Sequence, residues 1–258
     1  MKRIIIVGII FTFAGIAAFA QNALDIVAQS RNRLQAQTTS SRSRMLISAR
    51  NGNVTERVID QYSKDNAQGN NRMLVVFQSP ASVAGTRFLT LENPGRANDQ
   101  WIFLPELGRT RRIAGAEGSG SFMGSDFSYD DIASADRRTA LDNHRLLREE
   151  TFQEINCYVI ESTPLDTAYQ YSRMIQWIDS GNYIPHKVEL YDRRGTLVKT
   201  LEILELREVQ GRLSPIVTRM STHAAGTSTS LHVMNLRYDD PIPESVFTTN
   251  FLETGRWQ

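Results

Sequence analysis

From Ser41 onward the chain reads as one strand segment after another, and this constrains its fold more than anything else in it. Residues 43–48 and 54–59 flank Asn51-Gly52-Asn53, and Asn-Gly between two such runs is a strong short-range hairpin signal. Segments 72–78, 86–92, 100–104 and 109–113 follow, each bounded by Gly, Pro or Asn. In the second half, residues 186–191 and 197–209 form a long hairpin about the turn 192–195, and 230–238 is the last strand. About eleven strands at regular spacing, with few helices, predict a mainly β chain built as an antiparallel barrel or sandwich. Residues 241–247 read as a short closing helix or turn. No linker-like Pro/Ser run divides residues 21–258, which are read as a single domain.

The N-terminus has a different pattern. Met1-Lys2-Arg3 precedes an uncharged apolar run over 4–18, which ends in Ala18-Phe19-Ala20. This is the three-part pattern of a secretory signal peptide over residues 1–20. Export excludes a cytosolic enzyme. With 29 Lys+Arg against 28 Asp+Glu, the chain also lacks the charge excess of a dedicated nucleic-acid binder. Gln21 would follow the cleavage, so no cysteine stands there to carry a lipid anchor. No later stretch approaches the roughly 18 apolar residues of a membrane span. Residues 22–36 have apolar side chains spaced mostly at three or four (Ala23, Leu24, Ile26, Val27, Leu34), which predicts an amphipathic helix with Asn22 as its cap.

Several strands are apolar on both faces. Met73-Leu74-Val75-Val76-Phe77 and Trp101-Ile102-Phe103-Leu104 do not alternate as a half-solvated sheet would. A helix packed across the sheet can cover one face, and a ligand or an apolar interior the other. Cys157 is the only cysteine, so no intramolecular disulfide forms. Its strand setting suits a small buried apolar residue better than a catalytic thiol.

The block from Asp99 to Ile132 carries the most specific signal. Arg109 and Arg111 share one strand face and Arg112 takes the other. Gly115–Ser121 is a flexible loop. Ser128-Tyr129-Asp130-Asp131 has the form of a capping box opening a short helix, with Asp131 in the place of the usual Glu. Phe122, Met123 and Phe127 then need an apolar destination. They either plug the protein's own core or line a ligand cavity. The three arginines either hold an anionic headgroup or pair with Asp126, Asp130 or Asp131.

Trp-Ile-Phe-Leu-Pro, Arg-Thr-Arg-Arg-Ile and Ser-Phe-Met-Gly-Ser-Asp-Phe-Ser-Tyr-Asp-Asp, within residues 101–131, resemble the signature of the bacterial outer-membrane lipoprotein-sorting protein family, related to the LolA/LolB periplasmic carriers. The resemblance extends over the chain after residue 20. It implies a half-open antiparallel β-barrel with a few helices across its mouth, enclosing an apolar cavity. It further implies a periplasmic, monomeric carrier without cofactor. Its ligands would be lipids or acylated lipoproteins, and its partners an inner-membrane transporter and an outer-membrane acceptor. An accessory or sensing module for such a transporter is the second implication. On this reading Trp101, Phe103, Phe122, Met123, Phe127, Tyr129 and Trp177 line or gate the cavity. Arg109, Arg111 and Arg112 contact the headgroup, and the 22–36 helix and the 115–127 loop are the gates.

The sequence argues against an enzyme. His144, His186, His223 and His232 form no His-x-x-x-His or Glu-x-x-His cluster. His223 and His232 flank the 224–230 turn and could face each other across a hairpin, but two ligands without a third make a poor zinc site. No Gly-x-Ser-x-Gly elbow occurs; Gly124-Ser125-Asp126 is only a loose likeness.

Overall fold

The computed structural model describes residues 14–34, 36–94, 96–133 and 137–256, with side chains from Ala23 onward. The first thirteen residues of the expected signal peptide lie outside the described residues. Helix α1 runs Ala14–Asn32. Asn22 therefore lies inside α1 and does not cap it, and the helix stops short of the expected residue 36. Tertiary hydrogen bonds take over the backbone there: Arg212 Nε donates to the Leu34 carbonyl at 2.8 Å, and Gln37 N–H donates to Asp239 at 2.8 Å.

Six strands follow: β1 Thr38–Ser48, β2 Val54–Asp65, β3 Asn71–Ser79, β4 Arg87–Leu91, β5 Asp99–Leu104 and β6 Arg109–Ile113. Helix α2, Tyr129–Ala133, stands in the connection to the second half. That half holds β7 Asp142–Phe152, β8 Ile155–Pro164, β9 Arg173–Asp179, β10 Pro185–Tyr191, β11 Leu197–Val209, β12 Arg212–Thr222 and β13 Thr227–Tyr238. Among the described residues these are 13 strands, where the sequence suggests about eleven. A single turn of 3-10 helix, Glu244–Phe247, stands at the expected closing turn. Helix α3, Thr249–Thr254, follows it without having been foreseen, its first turn capped by the Thr248 side chain.

All strands form one antiparallel, curled and open sheet in the order β6-β5-β4-β3-β2-β1-β13-β12-β11-β10-β9-β8-β7. The sheet is thus a half-open barrel. It consists of two meanders joined where β1 pairs with β13. Its free edges, β6 and β7, are consecutive along the chain, so residues 114–141 must run from one edge to the other. Tight turns set the strand register. The Gln210-Gly211 turn has φ of 50° and 76°, the paired positive values of a two-residue hairpin.

Both faces of the first meander are buried, as its unbroken apolar runs require. On the inner face Met45, Ile59, Met73, Val75, Phe77, Phe88 and Ile102 form one core, and Phe122, Phe127, Tyr129 and Ile132 of the connection pack into it. The Phe122 ring lies 5.2 Å from Phe88 and 5.3 Å, edge to face, from Tyr129. On the outer face Leu74 and Leu89 meet Val246, Phe247, Phe251 and Leu252 of the C-terminal turns. Helix α1 covers the inner face of the second meander, setting Ala23, Ile26 and Val27 on Ile160 and Ile178.

Phe122 is fully buried among aromatic rings. Phe122→Ala should therefore cost about 3–5 kcal/mol of unfolding free energy, read from urea titrations. Leu107, 52% exposed, supplies the control: Leu107→Ala should stay within about 0.5 kcal/mol of the parent.

Candidate functional site

The connection between the sheet edges is fastened at several points. Within residues 122–127 the chain folds on itself, Phe122 N–H donating to the Phe127 carbonyl at 2.7 Å. Met123 and Gly124 turn the corner with φ of 52° and 79°. Arg57 of β2 donates to the Met123 carbonyl. Its guanidinium is held below the ordinary arginine value by burial. The buried Asp126 carboxylate accepts from Thr229 Oγ1 at 2.7 Å and from Thr227 Oγ1, both on β13. Residues 128–131 form the expected capping box: Ser128 N–H donates to Asp131 Oδ2 at 2.8 Å, and Asp131 N–H to Ser128 Oγ at 2.9 Å.

Asp131 does more than cap. Its carboxylate also accepts from Tyr171 OH at 2.8 Å, Gln170 Nε2 at 2.9 Å and Lys199 Nζ at 2.9 Å. Burial, then the Asp131 charge, raises the Tyr171 hydroxyl far above its ordinary range, so it remains a donor. The connection is thereby tied to β2, β13 and β11, across both meanders.

The cavity residues expected from sequence separate into two groups. Phe122, Phe127 and Tyr129 are buried in the inner core, and Met123 packs beside them. Trp101, Phe103 and Trp177 do not line the inner hollow. Strand alternation places Ile102 inside, so Trp101 and Phe103 lie outside against the C-terminal helical turns. Trp177 packs with Cys157 and Val159, and Lys187 Nζ stands 4.1 Å from its ring centroid. Burial raises the Cys157 thiol to about 11, with Asp179 and Glu150 adding to the rise, so it stays protonated. The arginines do not pair with Asp126, Asp130 or Asp131. Arg111 pairs with Glu117 and Arg112 with Asp99, both within reach of edge strand β6, while Arg109 is exposed. Nor do His223 and His232 face each other. His223 Nε2 lies 2.8 Å from Thr200 Oγ1, and His232 is opposite Val217, well along the hairpin. Among the described residues no group of three His, Cys, Asp or Glu is arranged to hold a metal.

Beside the plug formed by residues 122–132, a cleft of about 1260 Å³ opens between the two meanders. Ile113, Leu141, Leu165 and Tyr169 form apolar parts of its wall, and Arg138, Arg193 and Arg194 stand among its polar residues. Thr90, Gln100 and Asp130 also line it. Gln100 Nε2 donates to Asp130 Oδ1 at 2.7 Å. Gly118 lets this carboxylate approach, since a Cβ there would stand 2.5 Å from Asp130 Oδ1. The sequence reading missed this trio. The available signal was alternation: Thr90 and Gln100 share the inward side of β4 and β5 with Phe88 and Ile102.

A 13-strand curled sheet with helical segments laid on its inner face is the LolA-like fold. The crystal structure of the LolA superfamily protein NE2245 from Nitrosomonas europaea has it too, at 22% identity and a TM-score of 0.71 over 89% of this chain and 98% of that one. A DUF1329 family protein from Desulfovibrio piger matches with a TM-score of 0.87 and 29% identity, over 91% of this chain and 99% of that one. A Vibrio parahaemolyticus structure described as an outer-membrane lipoprotein-sorting protein domain matches with a TM-score of 0.85 and 30% identity over the same shares, 91% and 99%. A family model described as "-like: Uncharacterized protein" matches residues 69–254. No curated protein matches the chain. The chain belongs to the outer-membrane lipoprotein-sorting protein family.

Burial raises the Asp130 carboxyl above the usual aspartate range; Gln100 and Arg137 oppose the rise and Asp131 adds to it. The folded state thus holds this proton more tightly than the unfolded chain. The corresponding stability is fully present below the unfolded-state value and is lost as pH rises through the folded one. Asp130→Asn removes that loss. Its stability relative to the parent, from urea unfolding, should increase as pH is raised above about 4. A difference that does not change with pH would show the carboxyl to be unperturbed.

Proposed function

We propose that the protein is a non-enzymatic periplasmic carrier that shields lipids, or the acyl chains of lipoproteins, and delivers them towards the outer membrane. One observation carries this reading: the aromatic rings filling the centre of the hollow belong to a connecting segment, held by hydrogen bonds that can be exchanged. Family membership and the LolA-like fold support it, as does the export pattern of residues 1–20 in the sequence. In this view the structure is the closed state. An entering acyl chain displaces Phe122, Phe127 and Tyr129 and takes over their contacts with Phe77, Phe88 and Ile102. Each methylene so buried contributes about 0.8 kcal/mol, so binding needs no chemistry beyond burial. The ligand would be received from an inner-membrane transporter and passed to an outer-membrane acceptor.

Thr229 is the place to test the latch. Its hydroxyl receives the Asp126 N–H at 2.9 Å and donates to the same residue's carboxylate. Thr229→Val should accelerate uptake of a fluorescent fatty-acyl probe severalfold while the circular dichroism spectrum is kept. Mass spectrometry of the protein taken from its native periplasm should find lipid or acylated protein bound to it. An empty protein whose probe uptake is unmoved by Thr229→Val overturns the proposal.

A further inference from the structure

The inner face of β4 and β5 changes character within one step of the pleat. Phe88 is opposite Ile102, and Thr90 is opposite Gln100. The first pair touches the aromatic plug; the second lines the cleft. Thr90 is 3% exposed and Gln100 5%, yet Thr90 Oγ1 and Gln100 Oε1 have no hydrogen-bond partner among the described residues. Native proteins pair nearly all such buried polar atoms, so two orphans side by side at the end of a cleft point to a group from outside. Gln100 spends one amide N–H on Asp130, and its unpartnered oxygen can only accept. The missing group must therefore donate to Gln100, while the Thr90 hydroxyl can donate to it or accept from it; a hydroxyl, which does both, suits the pair.

The rest of the cleft adds two chemical requirements. Arg193 and Arg194 line it from the β10–β11 turn; the acid of that turn, Asp192, also lines it and accepts from the backbone N–H of Arg194 at 2.9 Å and of Thr196 at 2.8 Å, and among the described residues neither guanidinium is ion-paired. Leu141 and Leu165 also line it while remaining 37% and 57% exposed. Donors at the floor, a negative charge near the arginines and apolar matter against the leucines and the plug describe one kind of molecule.

We infer that the cleft seats the headgroup of an anionic, hydroxyl-bearing amphiphile, a phosphate ester of a polyol. Its hydroxyls bind Thr90 Oγ1 and Gln100 Oε1, its phosphate faces Arg193 and Arg194, and its chains continue past Phe88 and Ile102 into the space held by the plug. This inference rests on the carrier reading and adds the headgroup class.

Titration calorimetry of the full mature chain with short-chain lipids below their micellar concentration tests it. Dihexanoyl-phosphatidylglycerol should bind about tenfold tighter than dihexanoyl-phosphatidylcholine, which lacks the hydroxyls and the net charge. Thr90→Val removes an unpartnered hydroxyl and keeps the shape, so the fold should tolerate it; it should erase most of that preference. Arg193→Ser with Arg194→Ser, both on the surface, should weaken the glycerol lipid severalfold, and more so at low salt. Equal affinity for the two lipids overturns the headgroup seat and leaves the carrier standing. Failure of both lipids to bind removes the carrier reading itself. Free glycerol phosphate binding as tightly as its lipid would overturn the amphiphile and make the ligand a soluble phosphopolyol.

Discussion

An open sheet whose two edges are consecutive strands forces the chain to cross its own hollow, and the rest of the structure follows from that crossing. The first meander ends at β6 and the second starts at β7, at opposite ends of the strand order. The residues between them cannot remain on one face of a hairpin. They pass over the inner face, where Met45, Phe77 and Phe88 would otherwise meet water. Putting Phe122, Phe127 and Tyr129 on this segment removes that surface with side chains that do not belong to the sheet. The edges themselves are kept from pairing with other chains by charge: β6 reads Arg-Thr-Arg-Arg-Ile, and β7 carries Asp142, Arg145, Arg148, Glu149 and Glu150.

A segment that plugs by apolar contact alone would have no fixed register, because rings repack easily. Register here comes from carboxylates. Asp126 reads the spacing of Thr227 and Thr229 on β13, and Asp131 gathers donors from Gln170, Tyr171 and Lys199 as well as from its own helix start. A buried carboxylate is stable only when its partners are all in place, so each of these positions is all-or-none. The position of the segment on the sheet is thus fixed by named partners on both meanders.

The strands were legible because short runs bounded by Gly, Pro and Asn, with Asn51-Gly52 and Asp192-Arg193-Arg194-Gly195 as turns, are a local signal. The capping box at 128–131 was legible for the same reason, both of its halves lying within four residues. What was illegible is which face is which. In Trp101-Ile102-Phe103 both parities are apolar because both faces are covered, and nothing local says that the smaller Ile102 goes inside while the large rings go out under α3. The same ambiguity hides Trp177, whose outward neighbours arrive from other strands. The arginines of β6 had two readings, headgroup contact or pairing with Asp126, Asp130 or Asp131; sequence does not show that β6 is an edge beside β5, where Arg112 meets Asp99 while also lining the cleft, nor that Arg111 meets Glu117. The partners of Asp131 lie 39 to 68 positions away and leave no trace in spacing.

The orphaned oxygens of Thr90 and Gln100 fit with the aromatic plug as parts of one design. If the hollow were simply a protein core, the cheapest sequence would continue the row of Phe88 and Ile102 with two more apolar side chains and lose nothing. Instead the row changes to polar where the plug ends and the cleft begins. Asp130, whose carboxylate closes that end, follows directly on Tyr129, whose ring closes the other, so the polar and apolar boundaries are set by neighbouring residues of a single helical turn. Any motion that withdraws Tyr129 from Phe88 also draws Asp130 away from Gln100. On the proposed reading, opening the apolar space and freeing Gln100 from Asp130 are therefore one event, which is what an amphiphile entering with both its ends would need.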